Sequence, residues 1–165
     1  MLDKAVKFAT LAHGSQVRKY HGTPYISHPL AVAEIVKSVP HTEEMLMAAV
    51  LHDVVEDTPA TIEQIEKHFG STVAELVFFL TDISKPEDGN RAHRKQLDAE
   101  HNANGPAEAQ TIKVADLIHN SSDIAAHDPR FWKTYKTEKL QTLNLLDKAD
   151  ATLKARAFAQ IMEGK

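Results

Sequence analysis

Apolar residues return every three or four positions along nearly the whole chain, and nowhere do they alternate for long enough to build a strand. Leu2, Ala5, Val6, Ala9 and Ala12 form one such stripe, Leu30, Val32, Ala33, Ile35 and Val36 another, and Val73, Leu76, Val77 and Leu80 a third. Stop signals separate them. Gly22 and Pro24 break the chain into a loop over 18–27, Pro59 ends the segment begun at Thr42, and Gly105-Pro106 divides Arg91–His101 from Ala107–Asn120. Thr61 and Gln64 have the form of a capping box for a short helix that stops at Gly70. Asp128-Pro129 opens a long helix to about Leu146, and Asp150 caps the last. The pattern predicts an all-α bundle of eight to ten short helices. Met45 to Leu51 is apolar on nearly every side, so its helix belongs at the centre. The four methionines and Phe78-Phe79 are expected in the core.

At 165 residues the chain is one domain's worth of sequence, able to bury a core without staples. It contains no cysteine, which excludes disulfide frameworks, thiolate catalysis, zinc fingers and iron–sulfur sites. A net charge of −4 provides no long-range pull toward nucleic acid or an anionic membrane, so neither is an expected partner. Phosphates would have to be met by a local cluster of cations or by a metal. No apolar run approaches the ~20 residues that span a bilayer, and the opening MLDKAVKF has the pattern of neither a signal nor a transit peptide. A soluble, cytoplasmic protein is the expectation. Ten histidines are many for a chain of this size, and their placement carries the functional argument.

His52-Asp53-Val54-Val55-Glu56-Asp57 follows directly on the apolar run, and on a continuous helix His52 and Glu56, like Asp53 and Asp57, stand one turn apart. An imidazole and three carboxylates at a buried helix end are costly unless something compensates their charge, and a divalent cation does so directly. His28, beside Pro29 at the start of a helix, is either a cap residue or a ligand, because a helix N-terminus favours the neutral imidazole. Asp116 sits among apolar residues with Lys113 one turn before it and Asn120 one turn after. It is either half of an Asp–Lys pair or a metal ligand. Two imidazoles and two carboxylates on three segments suit Mn²⁺ or Fe²⁺ with positions left open, whereas a structural zinc site more often uses sulfur and closes its shell.

The motifs RKYHGTPYISHPLAVA, LHDVVEDT and IKVADLIHN resemble those of the HD-domain metal-dependent phosphohydrolases, and more narrowly the hydrolase domain of RelA/SpoT-type (p)ppGpp enzymes and the small stand-alone alarmone hydrolases. The resemblance runs from about Leu2 to Leu146 and implies one HD-type hydrolase domain over residues 1–165, a helical bundle around one metal site. It also implies that His28, His52, Asp53 and Asp116 hold one divalent metal, usually Mn²⁺, with Fe²⁺, Co²⁺ or Zn²⁺ as alternatives. Glu56 and Asp57 match the family's catalytic acidic pair, Arg18 and Lys19 its nucleotide-binding pair, and Asn120 its substrate-side asparagine. Lys113, Arg94 and Lys139 are further candidate contacts to a small nucleotide, the expected partner, while Arg94 with Lys95 and His101 could equally form a solvated basic face. Tyr135 and Lys136 could close the pocket, and His119 could face it. Monomer and dimer both remain open.

The activity implied is removal of the 3′-pyrophosphate of (p)ppGpp, with a nucleotide phosphatase acting on NADPH, or a nucleotide sensor without catalysis, as the alternatives. Two departures bear on the substrate. Relatives often carry a cation at position 117 and an arginine two residues after the asparagine, where this chain has Leu117 and Ser122.

Overall fold

A computed structural model describes residues 1–164, which fold into ten α-helices and one 3-10 turn, Pro86–Asp88. The helices are α1 (Leu2–His13), α2 (Ser27–Lys37), α3 (Glu43–Leu51), α4 (Val54–Asp57), α5 (Ile62–Phe69), α6 (Ser71–Leu80), α7 (Arg91–Ala103), α8 (Ala107–His127), α9 (Pro129–Leu145) and α10 (Ala151–Glu163). The expected all-α architecture is what forms. The extended pairing among the described residues is a single bridge between Val17 and Pro24 in the α1–α2 loop, closed over Gly22 at φ 66°, a conformation that favours glycine.

The apolar run becomes α3, buried from Met45 through Leu51 and packed against α1, α2, α6 and α8. Thr42 caps it by accepting from the Met45 N–H, and Thr61 with Gln64 forms the expected capping box on α5. Ala5 and Ala9 are fully buried where α1 meets α3, their small side chains letting the two backbones approach. α8 is the second central helix, packing on α2, α6, α9 and α10.

Three local expectations need correction. The segment after Leu51 is not one helix to Pro59, because it breaks at His52-Asp53 and restarts as the four-residue α4. Nδ1 of His52 takes the Ala49 carbonyl, which a continuing helix would have offered to the Asp53 N–H. α8 does not end at Asn120 but runs two more turns to His127, stopping where Pro129 disfavours helix at Asp128. Finally, Met45 and Met47 are core, but Met1, Met162 and Phe78 are exposed, the last with its ring edge-on to His101.

Candidate metal centre

Three helical elements deliver one cluster. His28 stands in the first turn of α2, His52 and Asp53 form the joint between α3 and α4, and Asp116 lies mid-way along α8. His28 Nε2 is 3.0 Å from Asp116 Oδ1 and 3.7 Å from Asp53 Oδ2. His52 Nε2 is 3.0 Å from Asp53 Oδ2 and 3.5 Å from Asp116 Oδ1. Each carboxylate therefore touches both imidazoles. Nitrogen and oxygen ligands held about 2.0–2.2 Å from a common ion sit roughly 2.8–3.6 Å from their neighbours, which is close to this spacing.

The donor chemistry fits a cation as well as the spacing does. His52 Nδ1 donates to the Ala49 carbonyl at 2.7 Å, leaving Nε2 as the free nitrogen. That Nε2 is buried and lacks a hydrogen bond of proper geometry. His28 makes its second contact through Nδ1, 2.7 Å from Nδ1 of His119. With the proton on His28, its Nε2 is likewise free for the cluster. His119 suits the acceptor role, since burial and then the neighbouring His28 hold its pKa below the ordinary value.

Electrostatics point the same way. Burial alone would lower the His52 pKa, but Asp53 and Asp116 outweigh it and raise the value well above that of free histidine. Asp53 is held down to about 2, its desolvation overcome chiefly by His52. Asp116 is held well below the carboxylate range by Lys113 and both imidazoles despite its burial. Opposed charges this close, far from solvent, form a place where a divalent ion can replace protons.

Asp116 pairs with Lys113 and joins the cluster at once: Oδ2 accepts from Lys113 Nζ at 3.1 Å, while Oδ1 accepts from Asn120 Nδ2 at 2.9 Å and faces the imidazoles. Tyr25, in the loop before α2, donates from its hydroxyl to Asp53 Oδ2 at 2.6 Å.

A cleft of about 300 Å³ opens beside the cluster, lined in part by Glu56, Asp57, Asp82, Lys113, Asn120 and Lys139. Glu56 accepts from the Asp82 N–H at 2.8 Å. Its carboxylate reaches solvent, but the cleft's protein walls push its pKa up to about 7, with the charge of Asp82 adding to the effect. Asp57 is raised for the same first reason, and then by Asp53. Across the cleft, burial and then the charges of Lys113 and Lys95 bring Lys139 down to about 8. Tyr135 completes that wall, with its hydroxyl buried and unpartnered.

The other candidate contacts land further out. Arg18 donates to Asn120 Oδ1 at 3.2 Å and Asp123 Oδ2 at 2.8 Å, behind the lining. Lys19 points away, exposed, its Nζ over the Tyr20 ring and 3.9 Å from Asp128. Arg94 lies on α7 outside the cleft, while its neighbour Lys95 reaches to 3.7 Å from Asp82. Leu117 is core and Ser122 lines a separate groove between α8 and α10, so cations at these positions would not enter the cleft.

The HD-domain family model matches residues 5–162. Among curated proteins, the chain is 36% identical over 141 residues to the human guanosine-3′,5′-bis(diphosphate) 3′-pyrophosphohydrolase MESH1, covering 84% of this chain and 77% of that one. It is 39% identical over 134 residues to the bifunctional (p)ppGpp synthase/hydrolase SpoT of Escherichia coli K12, covering 78% of this chain but 18% of the longer enzyme. Among solved structures, one described as a metazoan ortholog of SpoT that hydrolyzes ppGpp and plays a role in starvation responses superposes with a TM-score of 0.86 at 32% identity, covering 98% of this chain and 94% of the other.

Proposed function

The chain belongs to the HD-domain family, and from that premise we propose that residues 1–165 form one hydrolase domain that removes pyrophosphate from the 3′ position of (p)ppGpp with the help of a divalent metal, Mn²⁺ by preference. The observation that carries this is the meeting of His28, His52, Asp53 and Asp116, imidazole to carboxylate at 3.0–3.7 Å, beside a cleft that holds both raised carboxyls and lysines. The named activities of MESH1 and SpoT supply the substrate. A cytoplasmic location is part of this proposal; among the described residues no helix is long and apolar enough to cross a membrane.

His28, His52, Asp53 and Asp116 would hold the ion, and the chemistry it supplies there is Lewis acidity, which polarises a phosphoryl oxygen and makes water more acidic. The remaining work falls to the chain's own groups. Glu56, with its pKa near 7, accepts the proton as water oxygen forms its bond to the 3′-linked phosphorus. The bond from that phosphorus to the ribose 3′-oxygen breaks, the proton returns to the leaving oxygen, and GDP or GTP and pyrophosphate result. Asp57 helps orient the water from the same short helix. Lys113 and Lys139 meet the charge that builds on the equatorial oxygens. Arg18 acts from behind, fixing Asn120 against Asp116.

The test is a panel of nucleotides given to untagged protein with Mn²⁺. Pyrophosphate release from ppGpp, abolished by Asp53→Ala, is the expected result. Turnover of NADPH with none of ppGpp would transfer the same centre to phosphatase chemistry, and ligand binding without turnover under any metal would leave a sensor.

A further inference from the structure

Beyond Arg18, where the α1–α2 loop meets the end of α8, a second group of donors converges, outside the centre described above and independent of the function proposed for it. His21 in the α1–α2 loop, and Asp123 and His127 one turn apart near the end of α8, each offer a ligand atom within 4.8 Å of the other two. His21 Nε2 lies 3.0 Å from Asp123 Oδ1. An ion pair would explain those two residues but not the third. The His127 ring packs edge-on to His21 with centroids 4.8 Å apart, and Tyr20 stacks on it at 5.5 Å.

The neighbours of these groups orient them in the manner of metal ligands. His127 Nδ1 donates to the Asp123 carbonyl at 2.9 Å, which fixes the tautomer and leaves Nε2 free. Asp123 Oδ2 accepts from Arg18 at 2.8 Å, so Oδ1 is the oxygen presented to the imidazoles. We propose that His21, Asp123 and His127 form a second divalent-cation site between the α1–α2 loop and the end of α8. Two imidazoles and one carboxylate select a borderline ion such as Zn²⁺ over Mg²⁺ or Ca²⁺, with the open coordination positions taken by water. The charge of Arg18 makes this the weaker of the two sites. Its connection to the first runs Asp123–Arg18–Asn120–Asp116, three consecutive hydrogen bonds.

Metal-free, untagged protein dialysed against Zn²⁺ and assayed for zinc per chain tests this directly. The native chain should hold two ions, His21→Gln and His127→Gln one each, Asp53→Ala one, and the His127→Gln/Asp53→Ala double variant none. His21 and His127 are on the surface, so circular dichroism should show the single variants folded. A native stoichiometry of one that vanishes in Asp53→Ala, or two ions retained by both histidine variants, overturns the second site. One ion lost in His127→Gln but kept in Asp53→Ala would uphold the second site and sink the first centre instead.

Discussion

His52 hands its Nδ1 proton to the carbonyl of Ala49 at 2.7 Å, and this one bond both breaks the helix and aims Nε2 into the cluster. Without an ion the ring carries a proton, because the adjacent carboxylates raise its pKa. Metal and proton therefore compete for one nitrogen. Metal affinity should fall as pH falls, and His52→Ala should weaken it by more than the ~10–100-fold typical of losing an outer-shell partner. Metal titrations across pH, with native and variant protein, measure both effects.

Glu56 is placed to accept a proton and titrates near pH 7. As a base it must be ionised, so turnover should climb tenfold per pH unit below about 7 and level off above it. Glu56→Gln should lose about 10²–10⁴-fold in kcat and flatten that acid limb while metal content stays unchanged. A variant with native kcat would remove Glu56 from the chemistry.

The same raised pKa has a cost in stability. The folded value lies above the unfolded one, so at pH 4 the carboxyl is mostly neutral in both states; the penalty builds as pH rises from about 4.5 to about 7, where only the unfolded chain ionises, and is complete above 7. Metal-free Glu56→Gln should accordingly melt higher than the native chain at pH 8 and level with it at pH 4. Thermal unfolding at the two pH values, followed by circular dichroism, checks the sign.

What the sequence made legible was what depends on neighbours in the chain. The caps at Thr42, Thr61 and Asp150, and the burial of Met45–Leu51, follow from local chemistry and periodicity alone. The candidate ligands could be named because their motifs are dense and specific, and all four meet. The break at His52 was hidden because helical spacing says nothing about a ring reaching back to the carbonyl three residues earlier. Lys19 and Tyr25 share one loop, yet the Val17–Pro24 bridge turns the first outward and the second onto Asp53, a choice made by topology rather than residue type. Leu117 and Ser122 looked like lost phosphate contacts, but the helical phase of α8 points both away from the cleft.

Tyr25 lies inside the first motif, yet no sequence argument ties it to the metal centre. Its hydroxyl donates to the Asp53 oxygen that also faces both imidazoles, and burial with that carboxylate's charge raises its pKa far enough to keep it protonated. Tyr25→Phe leaves the ring packing in place and removes only the donor. Metal affinity should drop by about 10–100-fold with the fold intact, as for other outer-shell partners. Calorimetric titration with Mn²⁺ measures it, and an unchanged affinity would reduce Tyr25 to a packing residue.

Lys139 sets the opposite limb of the pH profile. Burial and the charges of Lys113 and Lys95 bring its pKa down to about 8, so it is a cation below that pH and neutral above. If it binds phosphate, KM should rise as pH passes 8, while Glu56 limits the rate below 7. Together they predict a bell-shaped kcat/KM with its maximum between the two values. Lys139→Gln should raise KM and abolish the alkaline rise, leaving the acid limb where it was. Lys139→Arg, which stays charged, should keep substrate binding past pH 9 if the wider guanidinium is tolerated. Initial rates from pH 6 to 9.5 with the three proteins separate a phosphate contact from a lysine that merely fills the wall, because in the latter case all three curves would share one alkaline limb.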